Sequence, residues 1–595
     1  MSATLTNSAP SRPSVQEMAA FLDRLRRLVL DEAMAQQQEL SQVWARPIPV
    51  RVSQGRAIEG VRIVKVEPNG LIELECDRNV SRFREGDILR LNQGVPYFQP
   101  SLQVTLEMDD DTRLIVSPNE LGFNWGESFR DDGWVLDEDA LDLSAFYLDA
   151  LKQAGDTAIG RERILPLLMG RIESGMDTAR FERALSMAEE AGLNWSQSEA
   201  LAQAYATDLA CLIQGPPGTG KTRVLAHIAQ ALVDDGERVL VTALTHRAIN
   251  NALNKIAEVA PDTPAIKVGS HTRADGLQVD NYENFDASPL ADTKSGYIVG
   301  ATPFAARGSP LSGVEFETAL FDEASQVTLP LAVMGMLAGK KYVFIGDQKQ
   351  LPPVRTTRHA DAILSESVFG WLAGRERSVM LNVTYRLSAE LAEWPSRTFY
   401  NGALIPAESA ASRRLSYAKA PERLDDVLNP ERSKVFVDLR HRNTTTRSQI
   451  EASLTTDLVV TLIESGVPAH EIGVITPYRA QSREIRKLLL SAVPDRDIRR
   501  AIVVDTVDRM QGQERDVIIV SLATSSPAFA ASIAEFFFQP ERLNVSVTRP
   551  RKKLIIVGSR HVLDAELHDT DLQADVALLR DLLDTCAIYM PDYVS

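Results

Sequence analysis

The chain has 595 residues, of which 44% are hydrophobic and 24% are charged, and its formal net charge is −17. A chain of this size and composition can bury several cores, so we expect three or four domains. No apolar run is long enough for a membrane span, and the first residues lack an apolar signal core. The acidic charge excludes a uniformly basic nucleic-acid coat but not a local basic groove.

The three cysteines are far apart in the sequence and lack the spacing of zinc ligands: Cys76, Cys211 and Cys586. We therefore expect no zinc site, and reduced thiols that pack in the protein interior. Because the sequence has no predicted membrane span or signal core, we also expect a soluble, cytoplasmic protein without a membrane partner. Residues 1–13 have the composition of a short disordered tail.

The first predicted element is a helix over about residues 14–38. Ser14 and Glu17 have the spacing of a capping box. Apolar residues then recur at helical spacing: Met18, Phe21, Leu22 and Leu25. This periodicity predicts an amphipathic helix that buries one face.

Residues 46–140 change to the alternation that is typical of β-strands. The alternating runs at 64–66 and 72–76 flank Pro68-Asn69-Gly70, which is a hairpin signal. Further short runs follow at 88–91, 102–108 and 114–116. The pattern predicts a small β-barrel, and a sheet that packs on its neighbours without closing is the alternative.

A glycine-rich loop then connects an apolar strand to a helical pattern. Such a loop directs backbone N–H groups and a helix N-terminus at phosphates. The residues expected to contact the nucleotide are consecutive: Gly215, Pro216, Pro217, Gly218, Thr219, Gly220, Lys221, Thr222 and Arg223. We expect Lys221 to reach the β- and γ-phosphates and the Thr222 hydroxyl to bind magnesium. The alternative, an ordinary glycine-rich turn, is weak because the bare pattern arises by chance in roughly one chain of this length in a hundred.

After Leu193 the chain alternates between apolar strands and helical stretches, as in a doubly wound parallel sheet. A first set of strands is predicted at 239–243, 297–299, 319–321 and 342–345. A second set is predicted at 434–437, 472–475, 502–504, 517–521 and 554–557. Because only the first set includes a P-loop, we expect one nucleotide site shared between two tandem α/β domains.

Two acidic residues follow the strand at 319–321, which is a Walker B arrangement. We expect Asp322 to hold the magnesium ion and Glu323 to orient and activate the attacking water. An Asp–Glu pair alone is often a solvated loop, but after a P-loop in the same sheet the signal is strong. Residues 346–354 follow another strand, and their polar core and paired prolines suit either a rigid turn toward the γ-phosphate or an ordinary loop.

These segments, in this order, resemble the superfamily-one helicases of the up-frameshift and immunoglobulin-mu-binding type, which are DNA/RNA helicases with AAA-type P-loop motors. Residues 193–197 resemble the Q motif of that family, which implies that Gln197 reads the adenine edge. Residues 346–354 resemble motif III, which implies that Gln350 senses the γ-phosphate. Tyr385-Arg386-Leu387 resembles a further motif, in which Tyr385 would stack on adenine and Arg386 would approach the γ-phosphate.

Two later motifs complete the resemblance, which covers about residues 190–560. Residues 504–514 resemble motif V and imply that Glu514 contacts the ribose, and residues 542–549 resemble motif VI and imply that Arg549 is the arginine finger. The chain departs from the family at Pro550-Arg551, where Ala-Arg is usual. It also lacks the cysteine- and histidine-rich zinc domain of the up-frameshift proteins.

The resemblance implies two tandem RecA-like parallel-sheet domains and an accessory barrel carried on two helical stalks. The implied segments are 14–45 for the first stalk, 46–140 for the barrel, 141–190 for the second stalk, and 191–357 and 358–595 for the RecA-like domains. In the family, a helical insertion follows motif Ia. Here residues 259–295 occupy that place without a long apolar periodicity, which predicts an irregular loop or a very short helix.

The segments at 239–248, 300–303 and 475–478 resemble the family's strand-contacting motifs. The residues expected to contact nucleic acid are Thr245, His246, Thr302, Thr476, Pro477, Tyr478 and Thr506. Hydroxyls and amides can hold phosphates without a basic surface, which fits the acidic charge. For each threonine alone, a turn or helix-capping role is as good an interpretation.

The leading hypothesis is an ATP- and Mg²⁺-dependent helicase or translocase that moves 5′ to 3′ on single-stranded DNA or RNA, a direction that rests on resemblance. An ATP-gated clamp or nucleoprotein remodeller without processive unwinding is the alternative. A P-loop kinase or hexameric unfoldase is disfavoured because both sheets carry motifs. A fused nuclease is disfavoured because no acidic and lysine cluster lies outside the motor motifs.

Overall fold

The computed structural model describes residues 12–67, 70–77, 79, 81–83, 86–110, 112–119, 132–274, 276–355, 357 and 366–591. Most of the predicted tail, and the Pro68-Asn69 pair of the predicted hairpin, lie outside these residues. The chain divides into two compact units, one of Met1–Met18, Gln153–Val354 and Glu366–Ser595, the other of Ala19–Lys152 and Arg355–Ser365. Within the described part of the chain, no helix is both long enough and apolar enough to cross a membrane.

The first helix spans Val15–Trp44 and begins at the predicted capping box. The Ser14 backbone N–H donates to Glu17 Oε2 at 2.8 Å, and the Glu17 N–H donates to Ser14 Oγ at 3.2 Å. The apolar residues that carry the predicted periodicity are buried: Met18, Phe21, Leu22 and Leu25. The sequence therefore predicted the start and the buried face of this helix correctly, and the helix extends six residues beyond the predicted end at residue 38.

The smaller unit contains a closed antiparallel barrel with the strand order β1-β2-β5-β4-β3-β6. Its strands are β1 (Ala57–Val66), β2 (Ile72–Glu75), β3 (Ile88–Asn92), β4 (Ser101–Asp110), β5 (Arg113–Pro118) and β6 (Trp134–Glu138). Val66 pairs with Ile72 across the predicted hairpin, and β6 pairs back with β1, so the barrel is confirmed and the open-sheet alternative is wrong. Alternate residues such as Leu74, Leu91 and Trp134 fill its core.

Helices connect the barrel to the first parallel sheet. They span Ser144–Asp156, Leu165–Leu168, Thr178–Glu190 and Trp195–Ala206, with a π-helical turn at Gly160–Ile164, and a further helix, Ile48–Ser53, precedes the barrel. The Asp177 side chain accepts from the Arg180 N–H and caps the helix at Thr178–Glu190. Asn194 and Gln197 form a capping box at the start of the helix that leads into the nucleotide site.

The first sheet of the larger unit has eight parallel strands among the described residues, in the order β10-β9-β11-β8-β12-β13-β7-β14. The strands are β7 (Ala210–Gln214), β8 (Arg238–Thr242), β9 (Ala265–Val268), β10 (Asp280–Tyr282), β11 (Tyr297–Gly300), β12 (Phe316–Phe321), β13 (Gly339–Gly346) and β14 (Ser378–Met380). Because β8, β12, β13 and β7 are adjacent, the segments that follow them meet at one edge of the sheet.

The prediction of an irregular loop over 259–295 is wrong in part. Ala265–Val268 and Asp280–Tyr282 are strands that extend the first sheet beyond β11. Strands of four and three residues at a sheet edge are held by backbone hydrogen bonds, so they need no long apolar periodicity. The first sheet also includes β14, which pairs with β7 although it lies beyond residue 357.

The second sheet of the larger unit has the order β19-β18-β20-β21-β17-β22 and is parallel throughout. Its strands are β17 (Lys434–Asp438), β18 (Ile472–Thr476), β19 (Val503–Thr506), β20 (Arg515–Ser521), β21 (Pro550–Gly558) and β22 (Ala587–Tyr589). A short parallel pair, β15 (Val383–Thr384) and β16 (Ile405–Pro406), precedes it. The predicted α/β class with two parallel sheets is confirmed.

Helices pack on both sheets. Those that follow first-sheet strands span Lys221–Asp234, His246–Val259, Pro303–Arg307, Leu329–Met336 and Val368–Leu372. Those of the later part of the chain span Ala389–Phe399, Glu408–Ala411, Asp425–Leu428, Gln449–Glu464, Arg479–Ala492, Arg496–Ala501, Val507–Met510, Pro527–Ser532, Ala534–Phe537, Pro540–Val547 and Thr570–Asp584. The three cysteines are free thiols and are buried in these cores and in the barrel.

Candidate nucleotide site and nucleic-acid face

The predicted P-loop lies between β7 and the helix that begins at Lys221. Gly218 and Gly220 have φ values of +74° and +83°, a left-handed conformation that favours glycine. A Cβ on Gly218 would collide with Arg386, and a Cβ on Gly220 would lie 2.9 Å from Gln197 Nε2. The loop therefore needs glycine both for its backbone conformation and for the close approach of its neighbours, as a phosphate cradle does.

Lys221 is the first residue of its helix, and its Nζ donates to the carbonyl oxygen of Gly215 at 2.6 Å. A Cβ on Gly215 would collide with the Lys221 side chain, so this glycine gives the lysine its path across the loop. The ammonium group therefore lies over the loop whose N–H groups are expected to hold phosphates.

Asp322 and Glu323 follow β12 at the same sheet edge, and Glu323 N–H donates to Asp322 Oδ1 at 3.0 Å. Burial, and then the charge of Glu323, raise the pKa of Asp322 to about 7. Ser325 Oγ is buried nearby in sequence and has no hydrogen-bond partner among the described residues. A cation near Asp322 would offset the cost of burying its charged carboxylate and the repulsion from Glu323. The carboxylate and the Thr222 hydroxyl are oxygen ligands of the kind that Mg²⁺ prefers.

The predicted γ-phosphate sensor and the predicted arginine finger are in contact. Gln350 follows β13, and its Oε1 accepts from Arg549 Nη2 at 3.3 Å. Arg549 precedes β21 in the second sheet and is only 2% exposed. Burial, and then the charge of Arg386, lower the pKa of Arg549 to about 9, so the guanidinium remains protonated at neutral pH. Residues of the two sheets thus meet where the sequence predicted a shared site.

Arg386 and Glu514, both predicted to contact the nucleotide, are paired with each other. Arg386 Nε donates to Glu514 Oε2 at 2.6 Å, and Arg386 Nη1 donates to the Thr548 carbonyl oxygen at 3.1 Å. Burial opposes the shift, but the positive charges of Arg386 and Arg551 hold the pKa of Glu514 below its ordinary value. Glu514 is therefore a partner of Arg386, which itself lies against the loop at Gly218.

The predicted adenine-binding residues, Gln197 and Tyr385, lie together beside the loop at Gly218 and Thr219. Gln197 Nε2 donates to the Thr219 carbonyl oxygen at 3.0 Å, and Gln197 Oε1 accepts from the Asn194 N–H at 3.1 Å. Asn194 Nδ2 donates to the Tyr385 hydroxyl at 2.9 Å, and Tyr385 is 39% exposed. The Tyr385 N–H donates to the Gly218 carbonyl oxygen at 2.8 Å, so its half-exposed ring is tied to the P-loop backbone.

Arg223, also predicted to contact the nucleotide, has a backbone partner beside the predicted Q motif. Its Nη2 donates to the Ala191 carbonyl oxygen at 3.1 Å, two residues before that segment begins. The sequence predicted no role for Gln511. Its Nε2 donates to Glu323 Oε2 at 3.4 Å, which brings an amide from the motif V segment to the predicted catalytic base.

The predicted nucleic-acid contacts of the first sheet are helix caps. The Thr245 hydroxyl accepts from the Ala248 N–H, and the Thr302 hydroxyl accepts from the Ala305 N–H, both at 3.2 Å. Thr245 follows β8 and Thr302 follows β11, so they share one sheet edge. Burial, and then nearby Lys267 and Arg273, lower the pKa of His246 to about 4, which makes it a neutral side chain at pH 7.

The predicted contacts of the second sheet lie at the ends of β18 and β19. Thr476 Oγ1 is 2.8 Å from the Tyr478 carbonyl oxygen, to which it donates, and the Thr506 N–H donates to Asp505 Oδ1 at 2.8 Å. Pro477 lies between Thr476 and Tyr478. The Tyr478 ring contacts a group of aromatic side chains: Phe529, Phe536 and Phe537. These predicted residues therefore lie together at the carboxyl ends of β18 and β19, which are neighbours in the second sheet.

Two segments of the chain match family models described as AAA domains, residues 192–369 and residues 364–561. The chain is 29% identical over 409 residues to the DNA replication ATP-dependent helicase/nuclease DNA2 of Saccharomyces cerevisiae, covering 63% of this chain and 26% of that protein. The chain thus carries two AAA helicase domains and is homologous to superfamily-one helicases of the DNA2 and up-frameshift type. The two matched segments together contain the predicted Q motif and the predicted arginine-finger motif.

The DNA polymerase alpha-associated DNA helicase A of Schizosaccharomyces pombe is 27% identical over 435 residues, which cover 62% of this chain and 64% of that protein. The chain thus spans less than two thirds of either relative. A crystal structure of arterivirus nonstructural protein 10, a helicase, superposes with a TM-score of 0.38 at 16% identity, over 86% of this chain and 80% of that chain.

Proposed function

We propose that this superfamily-one helicase hydrolyses ATP between its two parallel sheets and uses the cycle to move along a nucleic-acid strand and open a duplex ahead of it. The observation that carries the proposal is the contact of Gln350 with Arg549, 3.3 Å apart, beside the contact of Glu323 with Gln511. A P-loop enzyme that needed only one sheet would have no use for such contacts. The relatives named above, described as ATP-dependent or DNA helicases, support the same assignment.

The proposed roles divide the chemistry between the two sheets. The P-loop N–H groups and Lys221 bind the phosphates, and Thr222 and Asp322 would hold Mg²⁺, which neutralises charge on the β- and γ-phosphates. Glu323 orients the attacking water and accepts its proton. Arg549 and Arg386 stabilise the charge that develops on the γ-phosphate, because their contacts strengthen as that charge forms.

The same residues offer a way to couple nucleotide binding to movement. Arg386 is paired with Glu514, and Lys221 donates to a loop carbonyl. Phosphate oxygens carry more charge than these partners, so ATP would draw both cations toward the γ-phosphate and pull the two sheets closer. Release of phosphate would return Arg386 to Glu514. This exchange of partners is the proposed opening and closing of the cleft.

We propose single-stranded DNA as the strand that the helicase holds, because both relatives are described as acting in DNA metabolism. The proposed contacts are to phosphates, from the sheet edges that carry Thr245, Thr302, Thr476 and Thr506. Such contacts tolerate sequence and extend to RNA where the groove accepts a 2′-hydroxyl.

The test is ATP hydrolysis by the full chain with Mg²⁺ and with single-stranded DNA, single-stranded RNA or neither, followed by strand displacement on duplexes with a 5′ or a 3′ tail. We expect DNA-stimulated hydrolysis and opening of the 5′-tailed duplex alone. Stimulated hydrolysis with no opening would favour the clamp or remodeller. Hydrolysis that ignores nucleic acid would contradict the proposal, and opening of only the 3′-tailed duplex would contradict the direction.

A further inference from the structure

A buried chain of hydrogen bonds connects the two sheets behind the nucleotide residues. The Tyr400 hydroxyl donates to Asp347 Oδ2 at 2.7 Å, and Asn544 Nδ2 donates to the Tyr400 oxygen at 2.9 Å. All three residues are at most 3% exposed. Polar groups buried this deeply are costly unless every partner is in place, so this chain strongly constrains the surrounding geometry.

The three residues come from separate elements. Asp347 directly follows β13 of the first sheet, Tyr400 directly follows the helix Ala389–Phe399, and Asn544 lies in the helix Pro540–Val547. Tyr400 packs in the core of the second sheet. Asn544 Nδ2 also donates to the Lys349 carbonyl oxygen at 2.7 Å. Residues packed on the second sheet therefore hold the turn at 347–350 by two hydrogen bonds, one to the Asp347 carboxylate and one to the Lys349 carbonyl oxygen.

These hydrogen bonds are linked to the predicted sensor, Gln350. Asp347 Oδ2, which accepts from Tyr400, also accepts from Gln350 Nε2 at 2.7 Å. A carboxylate can only accept, so it fixes the Gln350 amide with its NH₂ group toward Asp347 and its oxygen toward Arg549. Gln350 Oε1 accepts from Arg549 Nη2 at 3.3 Å. The orientation of the amide that contacts Arg549 is thus set by its hydrogen bond to Asp347.

The protonation states suit this arrangement. Burial, and then the charge of Asp347, raise the pKa of Tyr400 well above its ordinary value, so the hydroxyl keeps its proton and remains a donor. Asp347 also accepts from Gln214 Nε2 through its other oxygen at 3.3 Å. Because Gln214 is the last residue of β7 before the P-loop, the same carboxylate touches both the sensor turn and the strand that carries the phosphate cradle.

We propose that Tyr400 is a positioning residue for ATP hydrolysis, which acts through Asp347 to hold the Gln350 amide against Arg549. The proposal rests on the ATPase activity proposed above. The Tyr400 hydroxyl bonds to Asp347 and Asn544 and so acts on Gln350 indirectly. We therefore expect it to set the rate at which the bound nucleotide is cleaved and to leave the affinity for ATP almost unchanged.

The test is Tyr400→Phe, which removes one oxygen atom and keeps the ring. In the full chain with Mg²⁺ and saturating single-stranded DNA, we expect kcat to fall about tenfold while the KM for ATP changes by less than about twofold. Tyr342→Phe is the matched control. Its hydroxyl is as deeply buried and donates to the Gly339 carbonyl oxygen at 3.0 Å within the first sheet, away from the sensor turn. This control should keep the parental kcat.

A purely structural role would lower the melting temperature of Tyr400→Phe and leave kcat per folded molecule unchanged, which would overturn the proposal. The route through Gln350 is tested by combining the substitutions. In a Gln350→Ala background, Tyr400→Phe should lower kcat by less than about twofold, since the side chain that it positions is gone. A full tenfold loss in that background would also overturn the proposal. Absence of hydrolysis by the unaltered chain would instead contradict the proposed function itself.

Discussion

The proposed nucleotide cleft and the proposed strand-binding edges are built in different ways. In the cleft, charged and amide side chains that are far apart in the sequence contact each other directly, as Gln350 contacts Arg549 and Arg386 contacts Glu514. At the edges, hydroxyls such as those of Thr245 and Thr302 already cap the helices that follow them. Cleft residues are thus placed by long-range partners, whereas edge residues are placed by their own local backbone.

This difference predicts how each region responds to substitution. A change in the cleft removes a charge where charge develops during the reaction, so the effect should fall on kcat and be large. A change at an edge removes one neutral hydroxyl among many phosphate contacts, so the effect should fall on nucleic-acid affinity and be small. An edge substitution also removes a helix cap, and stability must be measured beside binding.

The largest effect is expected for Arg549→Ala. Loss of an arginine finger lowers hydrolysis in P-loop enzymes by about 10³–10⁵-fold, and we expect that range here with a much smaller change in ATP affinity. Steady-state ATPase assays and nucleotide binding measured by fluorescence would check this. Arg560→Ala is the control, because Arg560 pairs with the exposed Asp584 and has no proposed role in the cleft. A parental rate for Arg549→Ala would exclude it as the finger.

The next largest effects are expected for Glu323→Gln and Lys221→Ala, which should lose turnover for different reasons. Glu323→Gln keeps the size and the hydrogen bonding of the side chain but removes the base, so hydrolysis should fall by about 10²–10⁴-fold while ATP still binds. Lys221→Ala removes a phosphate contact, so turnover should be lost together with ATP affinity. Equal loss of nucleotide binding in both variants would contradict these roles, because Glu323 would then contribute to ATP binding as much as Lys221 does.

The sequence predicted the parts of the cleft that depend on local pattern. The P-loop, the acidic pair after β12 and the central strands of both sheets each have a signal within a few residues, and all the predicted strands are present. The role of Tyr400 had no such signal, because its partners Asp347 and Asn544 are 53 and 144 residues away in the chain. The short edge strands at 265–268 and 280–282 were missed because backbone pairing, not side-chain periodicity, holds them.

A third prediction concerns His246, which is neutral at pH 7 and lies at the proposed strand-binding edge. The pKa of His246 is lowered to about 4 in the folded chain, below its ordinary value of 6.5, so the folded state resists protonation. Stability should therefore be unaffected by this residue above about pH 6.5 and should fall as the pH drops from there toward 4, by about 1–3 kcal/mol. In His246→Asn that part of the loss should be absent, as denaturant unfolding at pH 7 and pH 4.5 would measure.

The same shift has a consequence for nucleic-acid binding. Because His246 is neutral between pH 6 and 8, it adds no charge–phosphate attraction there. The affinity of unaltered chain and His246→Asn for single-stranded DNA should then have the same pH dependence and the same salt dependence over that range. If the DNA affinity of His246→Asn depended less on salt than that of the unaltered chain, His246 would be charged when the strand is bound. The edge would then use a charged side chain, as the cleft does.

The smallest effect is expected for Thr245→Ala, which tests the dual role of an edge hydroxyl. Loss of the cap to the Ala248 N–H should destabilise the chain by about 0.5–2 kcal/mol. Ser367→Ala is the matched control, since the Ser367 hydroxyl caps Val368–Leu372 through the Gly370 N–H and is given no strand contact. Both variants should lose similar stability, but only Thr245→Ala should bind single-stranded DNA more weakly, by about fivefold, as expected for about 1 kcal/mol. Thr245→Ser should restore both properties. Equal DNA affinity in Thr245→Ala and Ser367→Ala would leave the hydroxyl as a helix cap alone.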